Sequence, residues 1–315
     1  MIYFLILIGF CLLIYGGNLL VDGSVAVAKR MHVSSLLIGL TLVGFGTSTP
    51  ELMTSLLASF QNSEGIAVGN VVGSNIANIL LILGVALAIH AIPIHRASFK
   101  RDGMFLSIST GVLCVALLIG KINFIMGALM CATLGYYIYY SYKTDKQHQH
   151  EEEKEVPVVK KSQRTHQREL GISIAKAIIG IVLTIVGAKV LVTNSVLLAN
   201  KWGISESIIG LTVVALGTSL PELVTSVVAA LKKQGTLALG NVIGSNIYNA
   251  LFILGITALI TPIKVPKDIT LDVGIMAAVT ALLLVCGRGH KIKRPVGWLF
   301  LGLYVVYIVY LISKA

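Results

Sequence analysis

Two short segments of this chain place a carboxylate directly behind a proline, inside otherwise apolar sequence. They read Gly46-Thr47-Ser48-Thr49-Pro50-Glu51 and Gly217-Thr218-Ser219-Leu220-Pro221-Glu222. Glycine is a poor helix former and proline lacks an N–H, so each segment predicts a break in a helix with a freed carbonyl beside it. A second motif follows each one: Gly69-Asn70-Val71-Val72-Gly73-Ser74-Asn75-Ile76-Ala77-Asn78, repeated as Gly240 to Asn249. Ser74 and Asn78 are four apart and share a helix face, as do Ser245 and Asn249. The four segments offer carboxylates, hydroxyls, amide oxygens and loosened carbonyls, with no His or Cys among them. An all-oxygen set suits hard cations such as Ca2+ and Na+ rather than zinc or copper. Two carboxylates would neutralise one Ca2+ or two Na+.

The elements that position these residues must lie in a membrane. The chain has 315 residues, of which 56% are hydrophobic and only 12% charged, about half the charged share of a soluble globular protein. That composition excludes a cytosolic enzyme, a secreted disulfide module and a disordered chain. Bilayer-spanning helices need about 20 mostly apolar residues, and ten stretches qualify: about 2–28, 36–60, 65–92, 103–120, 122–142, 171–199, 206–231, 236–261, 269–287 and 295–313. Glu51 and Glu222 then fall near mid-span, where a carboxylate costs about 3 kcal/mol on insertion scales. A packing role alone does not justify that cost twice. The glycines of the second motif are explained by close helix packing, but the repeated asparagines are not.

Sliding the chain on itself by 171 residues aligns Ile38–Gly84 with Ile209–Gly255 without a gap, at 27 identities in 47 positions. The chain therefore reads as a duplicated five-helix unit: 1–142 with the repeat segment 38–84, and 170–315 with the segment 209–255. A polar linker, 143–169, joins them and reads as a solvated, mobile cytoplasmic tether. An odd number of spans per copy inverts the second copy in the membrane, the signature of secondary transporters with a midplane site between the halves. With the N-terminus outside, the inside loops hold 18 Lys and Arg against 5 outside, so both ends are expected outside (periplasmic) and the tether inside. The net charge of +11 is thereby assigned to membrane orientation and not to nucleic acid. The N-terminal run MIYFLILIGFCLLIY has no preceding basic residue and no A-x-A site after it, so it is expected to be a membrane helix rather than a cleaved signal.

The doubled GTS-x-PE and GN-x-x-GSN-I-x-N segments, in inverted repeats, closely resemble the α-repeats of the Ca2+/cation antiporter superfamily. Within it the chain is similar to prokaryotic Na+/Ca2+ exchangers of the inner membrane. The resemblance covers nearly the whole chain. It implies an all-α, ten-helix, multi-pass cell-membrane antiporter that exchanges Na+ for Ca2+, with no enzymatic activity, no cofactor and no obligate protein partner. It implies Glu51 and Glu222 as the central Ca2+ ligands. Thr47, Ser48, Ser74, Thr218, Ser219 and Ser245 would supply oxygens chiefly to Na+. Carbonyls of Gly44 and Ala215 would flank the centre, and Asn78 and Asn249 would complete it. By analogy, the first and sixth helices would slide across this core to switch access.

K+-dependent exchangers and an archaeal type carry Asp where this chain has Asn249, so K+ co-transport is not expected. The H+/Ca2+ branch typically carries a Glu where Ser74 and Ser245 stand here, which favours Na+ as counter-ion. H+/Ca2+ exchange, exchange of another divalent such as Mn2+, and K+-dependent exchange remain the alternatives within transport. Outside it stand an intramembrane hydrolase, for which no HExxH, GxSG or aspartate pair is present, and a passive channel. Four cysteines lie singly in apolar stretches and read as buried small hydrophobes. His148, His150 and His166 of the tether, Asp22 and Glu206 near helix ends, and His90 and His95 are assigned no role. The tyrosines from Tyr136 to Tyr142 read as an interfacial belt.

Overall fold

The computed structural model describes residues 2–60, 64–153, 163–201, 217–265 and 269–314. Among the described residues, the regular structure is helical apart from four two-residue strands. Helix α1 (Ile2–Met31) is followed by a broken span made of α2 (Ser35–Thr47) and α3 (Thr49–Phe60), bent by 44° where they meet. Then come α4 (Gly65–Ile89), α5 (Arg96–Ile119), α6 (Phe124–Glu153) and α7 (Gln163–Lys201). The remainder holds α8 (Leu220–Leu231), α9 (Gly235–Ile260), α10 (Thr270–Cys286) and α11 (Arg294–Lys314). Among the described residues, six helices are long and apolar enough to cross a bilayer, and the bent α2–α3 pair makes a seventh. The first part of the expected 206–231 span, to residue 216, lies outside the described residues.

Burial sorts the helices into an inner and an outer set. In α4 and α9, 78% of the most apolar stretch is buried, against 22–33% in α1, α6, α7 and α11. The outer helices turn Phe4, Leu7, Phe10, Phe124, Ile125, Trp298 and Val306 outward, as lipid-facing surfaces do. Between α4 and α9 the core is filled by Ile76, Leu80, Leu83, Ile247, Leu251 and Phe300. Helices α2 and α9 approach closely: a β-carbon on Gly240 or Gly244 would collide with the backbone of Leu36 or Leu40. The small-residue explanation of these glycines therefore holds in the second repeat.

The duplication is visible in the connections. Strand β1 (Ile92–Pro93) pairs with β4 (Lys291–Ile292), and β2 (Lys121–Ile122) with β3 (Ile263–Lys264), both antiparallel. Moving β1 by 171 residues gives β3 and moving β2 by 170 gives β4, so the two pairings exchange under the repeat. Each joins a loop of one half to a loop of the other.

Two regions differ from the sequence reading. The polar stretch expected to be a tether is helical through Glu153 and again from Gln163, while 154–162 lie outside the described residues. Lys, Gln and Glu are good helix formers, and a polar face all round hides the period without abolishing the helix. Asp145 also anchors it: its Oδ2 accepts the Ser34 N–H at 2.6 Å, at the N-terminus of α2. Arg101, expected among loop cations, lies in α5 with 7% of its surface exposed and holds fully buried Asp102 through two hydrogen bonds of 2.7 and 3.1 Å.

Candidate functional site

Both prolines sit in the first turn of a helix, Pro50 in α3 and Pro221 in α8, where a missing N–H costs nothing. The carboxylates Glu51 and Glu222 follow in that same turn, where the positive end of the helix dipole favours a negative group. Ser48 (φ −81°, ψ 8°) and Ser219 (φ −87°, ψ 7°) make the breaks with the same backbone conformation in the two repeats. The carbonyl that Pro50 releases, on Gly46, accepts the Thr49 hydroxyl at 3.0 Å. The Gly44 carbonyl accepts the Ser48 N–H at 3.1 Å. Ala215 lies outside the described residues.

Each break serine reaches the other repeat's carboxylate. Ser48 donates to Glu222 Oε1 at 3.1 Å, and Ser219 donates to Glu51 Oε1 at 3.1 Å. Both glutamates are 1% exposed. Their backbone carbonyls are held by the first asparagine of the second motif: Asn70 donates to Glu51 O at 3.2 Å and Asn241 to Glu222 O at 3.4 Å. Asn241 also accepts the Thr47 hydroxyl at 3.2 Å. Ser74 lies 3.5 Å from the Ser219 hydroxyl.

The remaining asparagines form a lattice across the repeat. Asn75 donates to the Asn246 carbonyl at 3.2 Å, and Asn246 to the Asn75 carbonyl at the same distance. Their side-chain oxygens accept from Asn249 at 3.1 Å and Asn78 at 2.9 Å. The amide nitrogens of Asn78 and Asn249 are thus spent on the scaffold. Asn78 and Asn249 each open a π-helical turn, Asn78–Leu83 and Asn249–Ile253, a feature often found at functional sites.

Several buried oxygens of the site have no partner. Glu51 Oε2, Glu222 Oε2, Asn78 Oδ1, Asn249 Oδ1, Thr218 Oγ1 and Ser245 Oγ are all buried without a hydrogen-bond partner. Buried polar atoms are normally satisfied, and no ion pair reaches either glutamate among the described residues. Four of the six, on the two glutamates and on Asn78 and Asn249, are carboxyl or amide oxygens that would accept a hydrogen bond or ligate a cation. The residues of this cluster that sequence reasoning missed are Asn70, Asn75, Asn241 and Asn246, which brace the candidate residues through hydrogen bonds. Their repetition was the available signal.

The fold and the site define a multi-pass membrane protein whose two halves share one buried, all-oxygen cluster. A family model described as "Sodium/calcium exchanger protein" matches residues 1–143 and 172–313, and the chain belongs to that family of membrane transporters. It is 34% identical over 348 residues to the sodium/calcium exchanger MaX1 of Methanosarcina acetivorans, covering 98% of both chains. It is 33% identical over 312 residues to the inner membrane protein YrbG of Escherichia coli K12, covering 98% of this chain and 95% of the other. Its structure superposes on the sodium-calcium exchanger NCX_Mj, soaked with Na+ and Sr2+, with a TM-score of 0.85 at 30% identity, covering 98% and 97% of the two chains.

Proposed function

We propose that this protein is a secondary antiporter exchanging Na+ for Ca2+ by alternating access at a site centred on Glu51 and Glu222. Family membership and the similarity to exchangers such as MaX1 and NCX_Mj support the ions. The observation that carries the site is the set of buried, unpartnered oxygens on Glu51, Glu222, Asn78 and Asn249. Thr47, Ser48, Ser74, Thr218, Ser219 and Ser245 complete the ligand shell in this reading, with the Gly44 and Ala215 carbonyls at its flanks. Ca2+ would take the centre with both carboxylates. Na+ ions would take the hydroxyl-rich positions and draw on the same two charges. Simultaneous occupancy would leave uncompensated positive charge in a low-dielectric interior, so each ion excludes the other and flux is obligatorily coupled.

Two five-helix repeats, 1–142 and 170–315, would flank this site, with 143–169 between them. The moving part in this reading is the α1–α7 pair. Gly9 and Gly16 of α1 interlock with Gly187 and Gly180 of α7, and Gly23 packs on Ser173 and Ala177, where no β-carbon would fit. Gly46 and Gly217, at the two breaks, pack against Ile181 and Val192 of α7. A shift of that pair along its axis would cover one break while releasing the other.

Reconstituted protein in liposomes loaded with Na+ tests this. Uptake of radioactive Ca2+ that requires internal Na+, fails with choline and survives a protonophore is the expected result. Uptake that ignores Na+ and follows an imposed pH gradient would move the protein to proton-coupled exchange. Flux without any counter-ion would make it a channel.

A further inference from the structure

A groove of about 410 Å3 runs between α5 and α10, away from the ion site. Its inner wall is formed by Met104, Leu284 and the small Ser107, whose hydroxyl is spent on the Gly103 carbonyl at 2.8 Å, and its mouth is ringed by Arg96, Lys100 and Arg288. Glycines shape it: Gly103 leaves room for Leu284, and Gly287 for the Phe99 ring, where a β-carbon on either would collide. The three cations stand at the first turn of α5 and just past the last turn of α10, at one face of the membrane. The Lys and Arg count assigns that face to the cytoplasm. None of the three forms an ion pair among the described residues; Arg96 only approaches His290 Nε2, at 3.4 Å. The adjacent acid, Asp102, is fully buried and held by Arg101.

We propose that this groove is a seat for an anionic phospholipid, its headgroup among Arg96, Lys100 and Arg288 and an acyl chain along Met104, Ser107 and Leu284. Three uncompensated cations converge at an interface, and the wall below them is apolar and descends into the hydrocarbon. Basic pockets between spanning helices on the cytoplasmic side take anionic headgroups, while neutral lipid gains nothing from the cations. The positive-inside bias explains basic residues on this face, but not their convergence on one groove. The seat would bind the first helix of one β1–β4-linked loop to the last turn before the other, and so clasp the two repeats at this face.

The test is native mass spectrometry of the full chain in detergent, titrated with phosphatidylglycerol and phosphatidylcholine. Each cation near an anionic headgroup contributes roughly a factor of five, so the wild type should favour phosphatidylglycerol by at least about tenfold. The variant R96Q/K100Q/R288Q should lose that preference. K233Q/K291Q/K293Q, with the same change in net charge outside the groove, should keep it. Ser107→Trp, which fills the groove and leaves the cations intact, should weaken phosphatidylglycerol binding. Equal binding of the two lipids by the wild type, or a preference that survives the groove triple variant, would overturn the proposal. Displacement of the lipid by millimolar inorganic phosphate, with Ser107→Trp binding as wild type, would overturn it in favour of a phosphate site. Unfolding curves in detergent without added lipid show that each variant is folded before its binding is compared.

Discussion

Asn249 donates from its amide to Oδ1 of Asn75 at 3.1 Å, across the boundary between the two repeats. Asn75 in turn donates to the Asn246 carbonyl. The bond fixes which way the Asn249 amide points and leaves its oxygen free in the site. The symmetric bond from Asn78 to Asn246 does the same in the other half. In the proposed site, the orientation of Asn78 and Asn249 would therefore be set by residues that need not touch an ion.

This brace can be broken without removing a ligand. In Asn75→Leu the Asn249 nitrogen is left buried without an acceptor, which costs about 1–3 kcal/mol, and its amide is free to rotate. The expected result is a weaker apparent Ca2+ affinity with an intact helical fold, read by flux assays and circular dichroism. Wild-type affinity in Asn75→Leu would show that the brace positions nothing.

Ser48 and Ser219 make equivalent bonds to opposite carboxylates, so the alanine variants should resemble each other. A hydrogen bond to a charged group contributes about 1.5–3 kcal/mol. Ser48→Ala and Ser219→Ala should each weaken cation binding by about tenfold or more. A large effect in one and none in the other would contradict a shared site.

The break at Ser48 depends on a missing donor. Pro50→Ala supplies an N–H that competes with Thr49 for the Gly46 carbonyl, so it favours a straighter helix through the 44° bend. Unchanged or higher thermal stability with slower exchange is expected. Full exchange activity would show that the bend is dispensable.

A buried and an exposed ion pair should differ sharply. Asp102→Asn leaves Arg101 buried and unpaired, at a cost of about 3–5 kcal/mol. Asp22→Asn breaks an exposed contact to Lys232 of 2.7 Å, worth about 0–1 kcal/mol. Thermal unfolding in one detergent separates them.

The positions of Glu51, Glu222 and the break serines were legible because the motif occurs twice at one spacing, and because a carboxylate in an apolar span is costly enough to demand a reason. The asparagine lattice was not, since hydrogen bonds between Asn75 and Asn249 depend on how the two repeats meet. The π-helical turns opened by Asn78 and Asn249 also left no trace, because one extra residue per turn does not interrupt an apolar run. The helix through Lys143–Glu153 was hidden by its own polarity. Arg101 read as a loop cation because sequence does not show that Asp102, its neighbour, is buried beside it.

In the proposed function, Glu51 and Glu222 hold one site that Ca2+ and Na+ contest. Isothermal titration of Ca2+ into the purified protein, with and without Na+, tests it most directly, alongside Glu51→Gln and Glu222→Gln. The wild type should bind Ca2+ and lose that binding as Na+ rises, and each folded variant should bind little or none. Near-normal Ca2+ binding in both variants, or wild-type binding indifferent to Na+, would contradict the account.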